Sequence, residues 1–573
     1  MIKAIDSGDG LCNGSREPMA LRVWNGATKL MRAMGELSLV APLLVGFGPA
    51  VSQDFLNTGP DVVVQTDHGP VVGVQGEHVH VFRGIPYAAA PIGDHRFRRA
   101  TPPKSWTHPR PARVRTPACP QVLDLDDPAE DGDNNMSEDC LTVNVWTPRA
   151  DAKLRPVMVF IHGGALEEGS AADSWYDGTV LAEQGDVVVV TLQYRLGALG
   201  FLALEEIGGP QFAESGNIGL LDQIAALRWV HQNIRHFGGD ANNVTLFGES
   251  AGGSSIHALL AIPEAHDLFD KVIIESGTAR LVTKACATQI ARVFMDLAKV
   301  RTVAQLQQLS MEDLLRAQSK LFATEYGNSP FAFVEDGVLN RSLMQRIAED
   351  PGLTKPMIIG TNEEEMRYWT AMDADELEKQ PEDSLRKHLV ERFGDGASNL
   401  MSTYKSDTNN YQEAVIAVLT DAYFRIPSIR LAEINAKSQP TYMYLFTYRS
   451  LTKGQTGLEY GAMHGLECAF VFHVDTTAGY LYVGPRGSWT HLSDQMVQAW
   501  TQFARSGDPN GSLLPTWPRY DTAQRATMEF GRHSDVVLNP YGMERHAWAA
   551  VPTARFESND AVSLSDPPSP QDR

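Results

Sequence analysis

The 573-residue chain predicts an α/β fold, a mostly parallel central sheet flanked by helices. Three observations predict it. Short apolar runs recur along the chain: Val157-Met158-Val159-Phe160-Ile161, Val187-Val188-Val189-Val190-Thr191, Val244-Thr245-Leu246-Phe247, Val272-Ile273-Ile274 and Met357-Ile358-Ile359. Their residues are apolar at consecutive rather than alternate positions, which reads as strands buried on both faces. Helical patterns fill the intervals. In the clearest, Leu220, Ile224, Leu227, Val230 and Ile234 fall at helical spacing until Phe237-Gly238-Gly239 stops them. Lastly, Val62 to Val81 alternates, which predicts a small antiparallel N-terminal sheet.

A further helix is expected from Ser493 to Ala504. No linker or internal repeat interrupts the middle of the chain, so residues 53–552 read as one domain, long enough to bury a sizeable core. From Thr553 onward the sequence is polar and Pro-rich, and 553–573 is expected to be a disordered tail.

Residues 1–52 read as a leader. Leu37 to Val51 is an uncharged, mostly apolar run preceded by Arg22, Lys29 and Arg32, and it ends in the small residues Ala50-Val51-Ser52. That is the layout of a secretory signal peptide, too short to span a bilayer stably. Glu36 and the long polar stretch before it depart from the pattern, and Met19 or Met31 are alternative starts. The expectation is a secreted or periplasmic protein, with the cytoplasm as the alternative. The net charge of −21, from 49 basic and 70 acidic side chains, argues against nucleic acid or anionic lipid as partners. The cysteines, Cys12, Cys119, Cys140, Cys286 and Cys468, are too scattered for a metal site. Cys286 and Cys468 are expected to be free and buried.

Gly248-Glu249-Ser250-Ala251-Gly252 carries the strongest chemical signal. The pentad follows the strand ending at Phe247 and opens an apolar stretch, Ile256 to Ile262, that suits a helix. A strand–turn–helix holds the serine hydroxyl clear of the sheet, and the crowding leaves room only for glycine two positions before and after it. Such a serine needs a base to take its proton and a third group to hold that base. His464, in Gly461-Ala462-Met463-His464-Gly465, sits in a loop suited to presenting an imidazole, with His388, His473, His491, His533 and His546 as competitors. The acid is sought in Gly360-Thr361-Asn362-Glu363-Glu364-Glu365, just past a parallel strand, where the three glutamates cannot be separated by their chemistry alone. His162-Gly163-Gly164-Ala165 follows the strand ending at Ile161 and suits an oxyanion hole, completed by the amide of Ala251.

Together these residues resemble the type-B carboxylesterases, over nearly everything from 60 to 550. Arg83-Gly84-Ile85-Pro86-Tyr87-Ala88, Ser137-Glu138-Asp139-Cys140-Leu141-Thr142-Val143-Asn144-Val145, Gly216-Asn217-Ile218-Gly219-Leu220-Leu221-Asp222-Gln223 and Phe503-Ala504-Arg505-Ser506-Gly507-Asp508-Pro509-Asn510 are similar to that family's signatures. The resemblance implies the α/β-hydrolase fold and hydrolysis of a small-molecule ester, with no cofactor or metal. It also implies a triad of Ser250, Glu365 and His464, an oxyanion hole of Gly164, Ala165 and Ala251, and a Cys119–Cys140 disulfide. An Arg96–Glu138 ion pair and a polar network of Glu249, Ser276 and Glu467 behind the triad follow by the same analogy.

Three departures bear on substrate. Ala165 stands where the family's third glycine would. Glu167 and Glu168 follow, where relatives often carry apolar or aromatic residues. The Cys119–Cys140 loop has no aromatic residue, so the tryptophan that cradles choline in cholinesterases has no counterpart; the loop's Asp124, Asp126, Asp127, Glu130, Asp131 and Asp133 read as a solvated acidic loop. An amidase or lactonase on the same triad is the rival activity. A neuroligin-like binding protein on the same fold is the non-enzymatic rival, and its members typically lose the serine or its partners.

Overall fold

The computed structural model describes residues 59–122, 135–324, 326, 330–339, 342–372, 382–398, 400–407, 410–474 and 483–558. The leader, the loop acids Asp124, Asp126, Asp127, Glu130, Asp131 and Asp133, and the chain beyond 558 lie outside them. Among the described residues no helix is long and apolar enough to cross a membrane.

Twelve strands follow one another across a single sheet: β1 (Asp61–Thr66), β2 (Gly69–Gln75), β3 (His80–Pro86), β4 (Thr142–Thr147), β5 (Arg155–Ile161), β6 (Val188–Leu192), β7 (Gly239–Glu249), β8 (Lys271–Glu275), β9 (Met357–Asn362), β10 (Thr441–Phe446), β11 (Ala526–Phe530) and β12 (Asp535–Leu538). Their spatial order is β1-β2-β3-β4-β6-β5-β7-β8-β9-β10-β11-β12. From β6 to β11 neighbouring strands are parallel. The antiparallel N-terminal strands are continuous with them, because β4 pairs antiparallel with β6.

The apolar runs have a direct structural reason. Alternate residues of each central strand feed two separate cores. Val157, Val159, Ile161, Leu246, Val272, Ile274 and Ile359 pack on one face with α2 (Ile218–Asn233) and α3 (Ala251–Leu260). Met158, Phe160, Phe247, Ile273 and Ile358 pack on the other with α1 (Thr179–Gly185) and α7 (Thr490–Ser506). Each buried aliphatic or aromatic side chain contributes about 1.5–3 kcal/mol relative to exposure, so both faces of the central strands are mostly apolar. Gly507, at φ 77°, ends α7 in the left-handed conformation that suits glycine.

Four strands were not anticipated: β4, which joins the N-terminal strands to the parallel ones, and β10, β11 and β12, which extend the sheet beyond the last predicted strand. A helical excursion between β9 and β10 was also unread. It includes Arg367–Met372, Glu382–Phe393, Leu400–Asp407 and α4 (Tyr411–Thr420), which runs through one π-helical turn, Asp421–Arg425, into α5 (Ile426–Asn435). Pro427 lies just past that turn. It has no N–H to donate and its ring crowds the carbonyl four residues back, so a widened turn relieves the helix there. The expected disordered tail is ordered at its start: Ala554–Glu557 is helical, and Glu557 Oε1 accepts from the Met344 amide at 2.7 Å.

Cys119 and Cys140 are bonded, with Cα atoms 5.1 Å apart. Arg96 grips Glu138 with two hydrogen bonds of 2.7 and 2.5 Å. Of the two cysteines outside that disulfide Cys468 is buried, whereas Cys286, expected buried, is half-buried near the start of an amphipathic helix.

Candidate active site

β7 ends at Glu249 and α3 begins at Ala251, so Ser250 alone makes the turn. It pays for this with φ 55° and ψ −119°, a conformation that a side chain resists. Packing holds it there. The Ser250 amide donates to the Glu275 carbonyl of β8 at 2.9 Å, and Ser254 N donates to the Ser250 carbonyl at 2.8 Å. A Cβ at Gly252 would lie 1.9 Å from the Ile161 carbonyl oxygen, which is why that position carries no side chain.

His464 arrives from the loop before α6 (Leu466–Val471). Its Nε2 is 2.8 Å from Ser250 Oγ, and its Nδ1 is 2.7 Å from Glu365 Oε2. Glu365 is fully buried one residue-triplet past β9, and its other oxygen accepts from the Asn362 amide at 2.8 Å. The two neighbouring glutamates point elsewhere. Glu364 pairs with Arg367 at 2.6 Å and accepts from the Ala462 amide at 3.0 Å, and Glu363 accepts from the Tyr541 hydroxyl. His473 turns away toward Asp494, at 3.6 Å.

The segment after β5 lies directly against Ser250. A Cβ on Gly163 would be 3.1 Å from Ser250 Cβ and 2.7 Å from Glu249 Oε2. Gly164, Ala165 and Leu166 then take φ values of 102°, 55° and 66°, a tight turn closed by the Glu167 and Glu168 amides on the Gly164 carbonyl at 2.9 and 3.0 Å. Ala165 therefore adopts the conformation that its missing-glycine position demands. Glu167 is half-buried beside this turn. Burial and then the Glu168 charge push its carboxyl well above the usual range, against a hydrogen bond from the Phe331 amide, which favours the charged form.

Behind the serine lie more buried carboxyls. Glu249 Oε1 is 3.1 Å from His464 Nε2. Burial pushes Glu249 up to about 7, with His464 lowering it and Glu365 raising it. Glu467 is raised well above the usual range by burial and by the carboxylates around it, while Asn362 Nδ2 and Ser276 Oγ donate to it. Glu275, not singled out from sequence, is pushed up to about 8 by burial and accepts from Trp500 Nε1 at 2.8 Å. For His464, burial opposes the charged form, but Glu249 and Glu365 outweigh it and raise the imidazole above its ordinary value.

Two aromatic residues on the imidazole were missed. The rings of Phe424 and Trp369 lie 4.8 and 5.1 Å from that of His464. Trp369 follows Glu365 by one helical turn, a spacing that could have found it; Phe424 comes from the π-helical turn and carries no comparable signal. Among the described residues, no group of three or more His, Cys, Asp or Glu side chains is placed to hold a metal ion.

Comparison with known proteins agrees with this architecture. The para-nitrobenzyl esterase of Bacillus subtilis (strain 168) is 36% identical over 490 residues, covering 84% of this chain and 97% of the esterase. The Homo sapiens cocaine esterase is 36% identical over 491 residues, covering 80% and 85%. The structure of the Geobacillus stearothermophilus carboxylesterase EST55 at pH 6.2 superposes with a TM-score of 0.76 at 36% identity, over 85% of this chain and 99% of that one. The protein is thus a carboxylic ester hydrolase of the α/β-hydrolase fold. It belongs to the carboxylesterase family, whose profile matches residues 60–548.

Proposed function

We propose that the protein hydrolyses small-molecule carboxylic esters through an acyl-enzyme on Ser250. The observation that carries this is the pair of short contacts from His464, 2.8 Å to Ser250 Oγ and 2.7 Å to Glu365 Oε2. His464 Nε2 takes the hydroxyl proton as Oγ bonds to the ester carbonyl carbon, and Glu365 orients the imidazole and stabilises its positive form. Negative charge gathers on the carbonyl oxygen, where the amides of Gly164, Ala165 and Ala251 receive it; one such donor contributes about 10²–10³-fold in rate. The C–O bond to the alcohol then breaks, and the alcohol leaves with the proton from His464. Water attacks the acyl-enzyme by the same route, giving its proton to His464 and regenerating Ser250.

The test is a fluorophosphonate probe with p-nitrophenyl butyrate as substrate. One adduct mapping to Ser250 is expected, and Ser250→Ala should lose about 10⁴–10⁶-fold in kcat. An adduct elsewhere, or turnover that survives Ser250→Ala, would sink the mechanism. We also propose that residues 1–52 direct export. The signal-like pattern ending at Ser52 and the Cys119–Cys140 bond support this; an intact leader on the protein recovered from its native cell would refute it.

A further inference from the structure

Tyr423, the neighbour of the Phe424 that packs on His464, has two guanidiniums against its ring. The Arg280 Cζ lies 4.8 Å from its ring centroid and the Arg392 Cζ 5.3 Å. Cation–aromatic contacts stabilise such groups without neutralising them. Among the described residues neither arginine forms an ion pair with a carboxylate, although elsewhere in the molecule Arg96, Arg155, Arg195, Arg367 and Arg425 each do. Among the described residues Arg392 donates a long 3.5 Å bond to the Ser558 carbonyl, and its Nε is buried with no acceptor. Burial, followed by repulsion from Arg392, lowers Arg280 to about 10, which leaves it charged at neutral pH. Both arginines are half-buried; two like charges held close to one another repel, and an anion bound to them relieves that repulsion.

Both ends of this arrangement are tied to the reacting groups. Arg280 follows Gly277 by three residues, no more than about 11 Å of extended chain, and a Cβ on Gly277 would lie 2.3 Å from the Ser250 carbonyl oxygen. The Ala279 amide donates to His257 Nδ1 of α3 at 3.0 Å, fixing that segment to the helix that Ser250 opens. On the other side, Tyr423 and Phe424 share the π-helical turn, so Phe424 spans the gap to His464.

We propose that Arg280 and Arg392 bind a free carboxylate on the substrate, so that the preferred esters are anionic, such as half-esters of dicarboxylic acids. This rests on the ester-hydrolase reading above and names its substrate class. A guanidinium meeting a carboxylate makes charge-assisted hydrogen bonds, and Arg suits that planar partner.

The experiment compares p-nitrophenyl hydrogen adipate with p-nitrophenyl hexanoate, which differ only by carboxylate against methyl at the acyl end. A second arm compares 4-carboxyphenyl hexanoate with phenyl hexanoate, placing the charge on the alcohol. In one arm the carboxylate substrate should have the higher kcat/KM. Arg280→Gln should remove about 10–100-fold of that value, mainly through KM, and leave the neutral ester within about threefold. Arg280→Lys should recover part of the loss, and Arg392→Gln should lose less. Fluorophosphonate labelling at the wild-type rate shows that each variant is folded and its serine competent; if Arg280→Gln is not labelled, Arg392→Gln decides. Equal rates for charged and neutral esters in both arms, or variants that slow both alike, overturn the proposal while leaving the hydrolase reading intact. No labelling of the wild type defeats the hydrolase reading itself.

Discussion

The parallel sheet and the helical excursion between β9 and β10 both reach His464, but they do so by different means. The sheet places Ser250, Glu365 and the Gly163–Ala165 turn at strand ends, where backbone hydrogen bonds and close packing fix each position. The excursion contributes Trp369, Tyr423, Phe424 and Arg392, side chains held by packing on one another. One region sets where the reacting atoms are. The other sets what surrounds them. Mutations should therefore separate by region, with large, substrate-independent losses from the sheet and smaller, substrate-dependent ones from the excursion.

The sharpest break in the comparison lies among adjacent glutamates. Glu365→Gln should lose about 10³–10⁴-fold in kcat, because the amide no longer stabilises the imidazolium. Glu364→Gln, one residue away and turned toward Arg367, should change kcat by less than about threefold. Similar losses for the two would mean that the acid has been misassigned. Phe424→Leu should show the other side, changing kcat/KM by about tenfold or less and by different factors for bulky and small esters; a uniform loss near that of Glu365→Gln would place Phe424 with the sheet's residues.

The smallest effect expected is on pH dependence. On the proposed mechanism His464 must be neutral to accept the serine proton, so activity should fall as pH drops through its pKa, which Glu249 and Glu365 raise. Glu249→Gln removes one of those charges and should move the acid limb of kcat/KM to lower pH by about one unit or less. A limb that stays put, or moves upward, would show that Glu249 does not charge-stabilise the imidazole.

The same division explains what could be read from sequence. The central strands were legible because burial on both faces leaves a continuous apolar signature, and the elbow was legible because its geometry excludes side chains at Gly252. Glu365 could not be distinguished from Glu363 and Glu364 by its own chemistry, since the difference lies in which way each side chain points after the strand. The resemblance to a family named it, and the structure brings it to His464. β10 escaped notice although Thr-Tyr-Met-Tyr-Leu-Phe is wholly buried, because a long helical stretch separates it from the earlier strands. Phe424 was hidden more deeply. In the apolar run from Ala414 to Phe424 a ring that faces the site looks the same as one that fills the core, and the π-helical turn shifts the periodicity just where it matters.

β9 and β10 are neighbours in the sheet, with Met357 opposite Thr441 and Asn362 opposite Phe446. Because the two strands are parallel, the excursion leaves the sheet at its Asn362 end and re-enters at the opposite end, where Thr441 lies beside Met357, and the entropy of closing such a crossover grows only slowly with its length. It behaves as an exchangeable cassette with two fixed sockets. A lineage, or an engineer, can replace everything between Asn362 and Thr441 except Glu365 and its anchor, and alter what the enzyme accepts without disturbing the strand that carries Ser250.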